Sequence, residues 1–288
     1  MTQPFSARFA GLLVFGSALG WSTSGLFSRA IQTDTATMIL FRGLAGAAGL
    51  LVLLLALRGT AGLRDFTRLG WAGASYALAS GLGMLFFIGA LQNTSVAHVS
   101  IIYATVPFAA AAVGWLFLSE PPSRAALIAS TLALVGAVAM VGFGSDGHWT
   151  GDLMALGMML TAAAMMGIAR ANPGMPTLAA GTLSAIWAPL ACLPFARMEG
   201  LDAPTLGLLA AFGLVNTTMA LGLFILGSRY LPAVRTALLS ALETPLTPLW
   251  VWLAFAETPG PATLAGGAIV LGAVLWYIRH ESRPAGAG

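Results

Sequence analysis

The chain has 288 residues, of which 58% are hydrophobic and only 8% are charged, and its mean hydropathy is +0.87. A soluble domain carries about 25% charged residues, so the composition excludes a water-soluble globular protein and indicates an integral membrane protein. The net charge is +3 and every basic residue is Arg; so small an excess is no signature of nucleic-acid binding. The single Cys192 excludes an internal disulfide and a cysteine-rich metal site.

Ten apolar stretches follow one another with short loops, and each is close to the roughly 20 residues that a helix needs to cross a bilayer. We predict spans one to ten over residues 9–29, 36–57, 69–91, 96–118, 125–143, 152–170, 177–196, 205–228, 233–255 and 262–279. The first stretch is too long for a signal peptide and lacks a small-residue cleavage site, so we expect it to remain a span. Residues 281–288 are predicted to be a disordered cytoplasmic tail.

The distribution of Arg residues predicts the orientation of the spans. On the side that holds the N-terminus, here called the Arg-rich side, are Arg8, Arg58, Arg64, Arg68, Arg124, Arg170, Arg229, Arg235, Arg279 and Arg283. Only Arg29 and Arg197 fall on the opposite side, and Arg42 lies inside span two. Because positively charged loops stay in the cytoplasm, we expect a multi-pass protein of the cell inner membrane with both termini cytoplasmic.

The two halves of the chain repeat each other. Trp115-Leu116-x3-Glu120-x-Pro122 matches Trp252-Leu253-x3-Glu257-x-Pro259 at an offset of 137, a spacing that disfavours chance similarity between apolar helices. Each half holds five spans, and because five is odd the second half must be inverted in the membrane. Inverted repeats are typical of secondary transporters, whose substrate site lies near the membrane midplane. We therefore predict an all-α membrane protein of ten transmembrane helices, with five-helix repeats over 1–145 and 146–280.

Several segments resemble the EamA-type proteins of the drug/metabolite transporter superfamily. They are Leu85–Val99 (LFFIGALQNTSVAHV), Pro107, Trp115…Glu120 and Phe41-Arg42. The resemblance covers nearly the whole chain, and it implies a central cavity lined by spans one to four and six to nine, with spans five and ten behind. The family includes amino-acid exporters, and in size and span count this chain is similar to the aromatic amino-acid exporters of the YddG type. One departure is Thr244, which stands where the first repeat has Pro107; Pro245 follows it.

Polar stripes along the helices give the candidate site. Thr236, Ser240, Glu243 and Thr247 recur at spacings of four, three and four, so they share one face of span nine. Such a stripe marks either a helix contact or a water-filled path, and for a single Ser or Thr the packing interpretation stays open. The repeat places Ser240 opposite Tyr103, so we expect both to flank the pseudo-twofold axis. The predicted substrate-binding residues are Trp21, Ser24, Tyr76, Ser80, Met84, Tyr103, Met158, Trp187, Asn216, Ser240 and Glu243.

Two charges, Arg42 and Glu243, are predicted to lie within the membrane. An ionised group there costs about 2.5–3.5 kcal/mol, so each needs a partner, a cavity or neutralisation. They could bind the ends of a zwitterion, Glu243 could titrate as a proton-coupling group, or each could bond neighbouring helices; for Arg42 we favour the structural role. Structural or gating roles are predicted for Arg42, His98, Pro107, Glu120, Pro245, Pro248 and Glu257.

The sequence disfavours an enzyme. It contains no G-x-x-x-x-G-K-[ST] loop, its three His residues are not spaced for a metal, and we predict no cofactor. The predicted cavity is aromatic, rich in Met and nearly uncharged, which favours neutral amino acids with large apolar side chains over polyanions. We expect a secondary exporter of such amino acids that is able to act as a monomer. The alternatives are export of purines, nucleosides or cationic compounds, and a passive channel.

Overall fold

A computed structural model gives the structure of residues 6–94, 96–141, 148–199, 201–256 and 258–281. Over these residues the chain is helical and contains no strand. Nine of its helices are long and apolar enough to cross a membrane, and Gly70–Phe87, bent by 88° from the short helix Ala61–Thr67, makes a tenth. The predicted all-α fold with ten spans in two repeats is therefore confirmed. The expected boundary at 145–146, Glu257 and residues 282–288 lie outside the described residues.

Six spans are single helices. Span two is Thr35–Arg58, span three Gly70–Asn93, span five Arg124–Val141, span six Trp149–Ala171, span seven Thr177–Ala191 and span ten Pro261–Glu281. Four spans are interrupted. Span one comprises Ala7–Ser22 and Ser24–Ala30, span four Val96–Tyr103 and Val106–Leu118, span eight Ala203–Gly213, a π-helical stretch Leu214–Leu221 and Gly222–Ser228, and span nine Ala233–Ser240 and Glu243–Phe255.

Side-chain caps fix where several spans begin. The carboxylate of Asp34 accepts the backbone N–H of Thr37 at 3.0 Å and its hydroxyl at 2.6 Å, which satisfies free donors at the start of span two. Burial alone would raise the pKa of Asp34, but these hydrogen bonds outweigh it and hold that pKa below its ordinary value. Ser6 caps span one in the same way, with the Phe9 N–H donating to its hydroxyl at 3.2 Å.

The interruptions of spans four and nine repeat in register. They fall at residues 104–105 and 241–242, which are 137 residues apart. The second pieces both end on a left-handed residue with φ 55°, Ser119 and Ala256, again 137 apart. Because few non-glycine residues adopt a positive φ, this coincidence supports one backbone plan used twice.

Proline chemistry explains why the interruptions coincide although Pro245 stands one place later than Pro107 in the repeat. A proline lacks the N–H that would bond the carbonyl four residues earlier. For Pro107 that carbonyl belongs to Tyr103 and for Pro245 to Ala241, so both fall at the interruption; Thr244 N–H bonds Ala241 instead, at 3.2 Å. Pro248, for which a structural or gating role was predicted, does not interrupt span nine, since the helix Glu243–Phe255 continues through it.

The spans pack as two groups that each mix the two repeats. Spans three, four and six pack together, as do spans one, eight and nine, while spans two and seven connect the groups. Spans five and ten form the most extensive helix pair. They cross at Gly136 and Gly266, where a Cβ on Gly136 would lie 2.7 Å from the Gly266 carbonyl oxygen, so that only glycine fits. Spans two and seven therefore tie the two groups together.

Candidate functional site

A small cavity lies where the interruptions of spans four and nine meet. Its volume is about 20 Å³, room for about one water molecule. Tyr103 lines it from span four, Ser240 from span nine and Met166 from span six. Spans five and ten, which were expected to lie behind the central cavity, contribute Ala137 and Val270 to its wall. The structure thus brings Tyr103 and Ser240 to one cavity, in the relation that the repeat predicts.

One polar group at this point, the hydroxyl of Ser240, is short of partners. The Ser240 hydroxyl is buried and has no hydrogen-bond partner among the described residues. The Glu243 carboxylate begins the second piece of span nine and lies close enough to the Tyr103 hydroxyl to interact with it electrostatically. Buried polar groups in native proteins are almost always hydrogen-bonded. Those at the meeting point of spans four and nine are therefore candidates for contact with a ligand or water.

Aromatic rings and methionines surround the Tyr103 ring. Trp21 packs with Tyr103 against a buried cluster that contains Met166 and Phe224, and the Trp21 and Phe224 rings lie 5.1 Å apart. Met158 belongs to a second cluster against which Tyr103 also packs. Of the predicted site residues, Trp21 and Met158 therefore lie near Tyr103. Polarizable groups of this kind suit an apolar or aromatic ligand.

Two predicted site residues join spans one and eight. Trp21 donates its indole N–H to the Asn216 carbonyl oxygen at 3.0 Å, and the Asn216 amide donates to the Thr23 hydroxyl at 3.1 Å. The hydroxyl of Ser24 is also occupied, since it donates to the Trp21 carbonyl oxygen at 2.6 Å. The polar atoms of Asn216 and Ser24 thus stabilise helix contacts at the interruption of span one.

Four further predicted site residues lie away from the small cavity. Ser80 donates to the Ser184 hydroxyl at 3.0 Å and Trp187 donates to the Ala77 carbonyl oxygen at 3.1 Å, which joins spans three and seven. Tyr76 is fully buried in the cluster formed by spans two, three and seven, and its hydroxyl has no partner among the described residues. Met84 packs against Ile39 and Cys192.

Spans four and nine are closed against each other on the Arg-rich side and apart on the opposite side. The first piece of span nine, Ala233–Ser240, is almost entirely buried and packs against the second piece of span four, Val106–Leu118. In Glu243–Phe255 only Pro245 is buried, and over the described residues it makes no comparable contact with Val96–Tyr103. Spans four and nine therefore pack closely on the Arg-rich side and less closely on the opposite side.

An ion pair at one end and a histidine–carboxylate contact at the other tie span four to span six. On the Arg-rich side Arg170 contacts Glu120 at 2.7 Å, beside a cavity of about 150 Å³ that Glu120, Ala110 and Tyr277 help to line. On the opposite side His98 Nδ1 lies 3.0 Å from the Asp152 carboxylate. His98 and Glu120 were expected to have gating or structural roles, but the sequence did not indicate either partner, because the paired residues lie 50 and 54 positions apart along the chain.

Arg42 has an unusual environment for a charged residue. It lies in span two, about 10 Å from the start of the helix at 1.5 Å per residue. Its guanidinium carbon lies 4.7 Å from the centroid of the Phe212 ring in span eight. Its Nε is buried without a hydrogen-bond partner, and no ion pair joins it to a carboxylate among the described residues.

Sequence reasoning missed the π-helical stretch of span eight. Residues 214–221 carry Asn216, Thr217 and Thr218, and Thr218 donates to the Gly46 carbonyl oxygen at 3.0 Å. A Cβ on Gly46 would overlap the Thr217 side chain. The run of three polar residues in the middle of a span was the available signal, since π-helical turns are rare and frequently mark functional sites.

Ten spans, repeated interruptions that meet in one small cavity, and an unpartnered buried hydroxyl in that cavity are features of a membrane transporter built from two repeats. The profile of the EamA-like transporter family matches residues 8–142 and 149–279, one match in each half. The chain belongs to this family. A solved structure described only as a crystal structure of a protein superposes with a TM-score of 0.85 at 19% identity, over 96% of this chain and 100% of that one, which shows the shared fold. No curated protein matches the sequence.

Proposed function

We propose that this transporter exports neutral amino acids, mainly aromatic and large apolar ones, across the cell inner membrane by alternating access. The observation that carries the proposal is the meeting of the two interruptions at Tyr103, Ser240 and Glu243. We further propose that the chain acts as a monomer with both termini in the cytoplasm, since the Arg-rich side then obeys the positive-inside rule.

The chemistry around the small cavity favours a solute with an ammonium group and an apolar side chain. A carboxylate such as Glu243 attracts an ammonium group, and the Ser240 hydroxyl is free to bond it. The rings of Trp21 and Phe224 and the thioethers of Met158 and Met166 supply the apolar surface. Polyanions would require several cations in the pore, and Arg42 alone lies in the interior of a span.

The way spans four and nine pack supports alternating access. In the described state Val106–Leu118 packs against Ala233–Ser240 on the Arg-rich side. We propose that in the other state these pieces separate while Val96–Tyr103 closes on Glu243–Phe255. The interruptions at 104–105 and 241–242 are the hinges, because the backbone there already lacks regular helical hydrogen bonds. Rocking of repeat units about a midplane site is the general mechanism of such transporters.

Competition in proteoliposomes tests the substrate class. Purified protein is reconstituted and uptake of labelled phenylalanine is measured against unlabelled tryptophan, methionine, leucine, threonine, arginine, glutamate and a nucleoside. We expect saturable uptake that the neutral set inhibits and that arginine and glutamate leave unchanged. Inhibition by the nucleoside alone would move the proposal to another substrate class, and flux without saturation would indicate a channel.

A further inference from the structure

Within the described part of the chain, Arg42 lacks the ion pair that two other Arg residues of the structure make. Arg58 contacts the Asp65 carboxylate at 2.9 Å, and Arg170 contacts Glu120 at 2.7 Å. Arg42 has no such carboxylate among the described residues, and its Nε is a buried donor without an acceptor. A cation in the interior of a span is costly when it lacks an anionic or polar partner. The structure therefore contains a charged donor group whose acceptor is supplied from elsewhere.

The surroundings of Arg42 hold its guanidinium plane but leave its charge unneutralised. The guanidinium lies over the Phe212 ring at 4.7 Å, and Phe212 is stacked on Phe27 with ring centroids 4.9 Å apart and an interplanar angle of 11°. A guanidinium over an aromatic ring is attracted to the face of that ring. The Cys192 thiol, which follows the helix of span seven, interacts electrostatically with the guanidinium. These groups position the guanidinium and none of them carries the negative charge that would balance it.

Arg42 lies toward the side of the molecule on which spans four and nine pack less closely. Arg42 is partly exposed and lies in the half of span two that is nearer the side opposite the Arg-rich side. On that side the first piece of span four and the second piece of span nine pack less closely than their counterparts on the Arg-rich side. A structural Arg would be expected to bond helix carbonyls or a carboxylate, as Arg170 bonds Glu120. The buried Nε of Arg42 instead has no acceptor among the described residues.

We propose that Arg42 binds the carboxylate of the transported solute at a subsite of its own, which the solute occupies before its ammonium group reaches Glu243 and Ser240. The inference rests on the proposed function and narrows it to solutes that carry a carboxylate. The planar guanidinium offers donors in a fork that matches both oxygens of a carboxylate. The subsite rejects an analogue whose carboxylate is replaced by a neutral amide, because the buried guanidinium then stays uncompensated.

Analogues of one substrate test the proposal on the unaltered protein. Uptake of labelled phenylalanine is competed with phenylalanine, with phenylalaninamide, which lacks the carboxylate, and with 3-phenylpropionate, which lacks the ammonium group. We expect phenylalaninamide to inhibit about tenfold less well than phenylalanine, or worse, and 3-phenylpropionate to retain measurable inhibition. Equal inhibition by phenylalanine and its amide would overturn the proposal.

Variants of Arg42 then assign the preference to this residue. Arg42→Gln should raise the KM for phenylalanine about tenfold and reduce the preference for the acid over the amide to about twofold or less. Arg42→Lys keeps the charge without the fork, so it should keep part of that preference. Arg64→Gln, which removes an exposed charge from the Arg-rich side, is the matched control and should change neither quantity. Arg42→Gln protein that is folded, transports phenylalanine and retains the full preference would contradict the assignment.

Two outcomes separate this inference from the proposed function. If no amino acid is taken up by the unaltered protein, the proposed function fails and the role of Arg42 in it falls with it. If phenylalanine uptake is saturable but insensitive to removal of the carboxylate, only the Arg42 inference fails. Uptake is measured in chloride and in methanesulfonate, which carries no carboxylate, because a free inorganic anion could occupy the same guanidinium. Dependence on chloride together with equal inhibition by acid and amide would assign Arg42 to an inorganic anion and overturn the proposal.

Discussion

Buried hydroxyl groups in this protein differ in whether they have a hydrogen-bond partner. Ser130 donates to the Ala126 carbonyl oxygen at 2.8 Å within its own helix. Ser240 is equally buried, but its hydroxyl has no partner among the described residues. Burying a hydroxyl without a hydrogen bond costs its desolvation energy and gives the fold nothing in return. We therefore attribute the presence of the Ser240 hydroxyl to ligand binding.

This contrast predicts opposite effects for two Ser→Ala substitutions. Ser240→Ala should leave the free energy of unfolding unchanged or raise it by up to about 1 kcal/mol, because no hydrogen bond is lost. Its KM for phenylalanine should rise about fivefold, the equivalent of one hydrogen bond. Ser130→Ala should lower stability by about 0.5–1 kcal/mol and leave the KM unchanged. Thermal unfolding in detergent and uptake assays measure both; an unaltered KM in Ser240→Ala would count against the assignment.

The cap of span two predicts a pH-dependent contribution to stability. The pKa of Asp34 is lower in the folded protein than its ordinary value, so the ionised carboxylate stabilises the fold. The contribution is complete above the ordinary pKa of about 4 and is lost as the pH falls through the lower folded-state pKa. Asp34→Ala should therefore cost about 1 kcal/mol at neutral pH and less in acid.

The matched control for Asp34 is Ser6, which caps span one with a hydroxyl that does not titrate. Ser6→Ala should cost a similar amount at every pH. The measurement is thermal unfolding between about pH 3 and pH 7. A cost for Asp34→Ala that stays constant over this range would show that the ionised form of Asp34 does not stabilise the cap.

At the scale of helices, the closest contacts depend on glycine. Gly136→Ala in span five would place a methyl group against the Gly266 backbone, which cannot move aside as a side chain can. We expect a loss of about 1–3 kcal/mol. In span ten, a Cβ at Gly272 would meet no other atom within 4 Å. Gly272→Ala should therefore leave stability unchanged or raise it by up to about 1 kcal/mol. Equal melting temperatures for the two variants would contradict the crossing of spans five and ten at Gly136.

The sequence predicted the helical features that depend on local composition and missed those that depend on contacts between helices. All ten spans were predicted because burial in lipid requires about 20 apolar residues, which is a local property. The positions of the interruptions were less accessible, since Pro107 and Pro245 act on carbonyls four residues earlier while Pro248 leaves its helix intact. The π-helical stretch depends on contacts of Thr217 and Thr218 with span two, and such contacts are not written in local sequence.

The candidate site was predicted only in part, because sequence patterns report local properties and not contacts between distant helices. Internal repetition placed Tyr103 opposite Ser240, and both line one cavity in the structure. Helical periodicity also selected Ser24 and Ser80, whose hydroxyls are used in hydrogen bonds within or between helices. Periodicity gives the face on which a side chain lies, but the partner of a polar group depends on neighbouring helices far away in the sequence.

Across the whole molecule, the ion pair of Glu120 and Arg170 lies on the closed side. If the pair stabilises closure there, Glu120→Gln should raise the population that is open on the Arg-rich side several-fold, as expected for a loss of about 1 kcal/mol. The readout is labelling of Ala110→Cys, which lines the adjacent cavity, in a Cys192→Ala background that removes the single native thiol. A membrane-impermeant thiol reagent is applied from the Arg-rich side.

The matched control for this experiment is the histidine–carboxylate contact at the other end of span four. His98→Gln weakens the contact with Asp152 on the opposite side, so it should not accelerate labelling of Ala110→Cys from the Arg-rich side. Labelling rates that are the same with and without Glu120→Gln would contradict a role of the Glu120–Arg170 pair in closure.

Alternating access at a midplane site is the central claim, and trans-stimulation tests it most directly. Uptake of labelled phenylalanine is measured in proteoliposomes that contain purified protein, with and without unlabelled phenylalanine inside. A carrier reorients faster when its site is loaded. Internal phenylalanine is therefore predicted to accelerate a saturable uptake. Glu243→Ala is predicted to abolish this uptake. Uptake that rises linearly with concentration and ignores the internal amino acid would contradict alternating access.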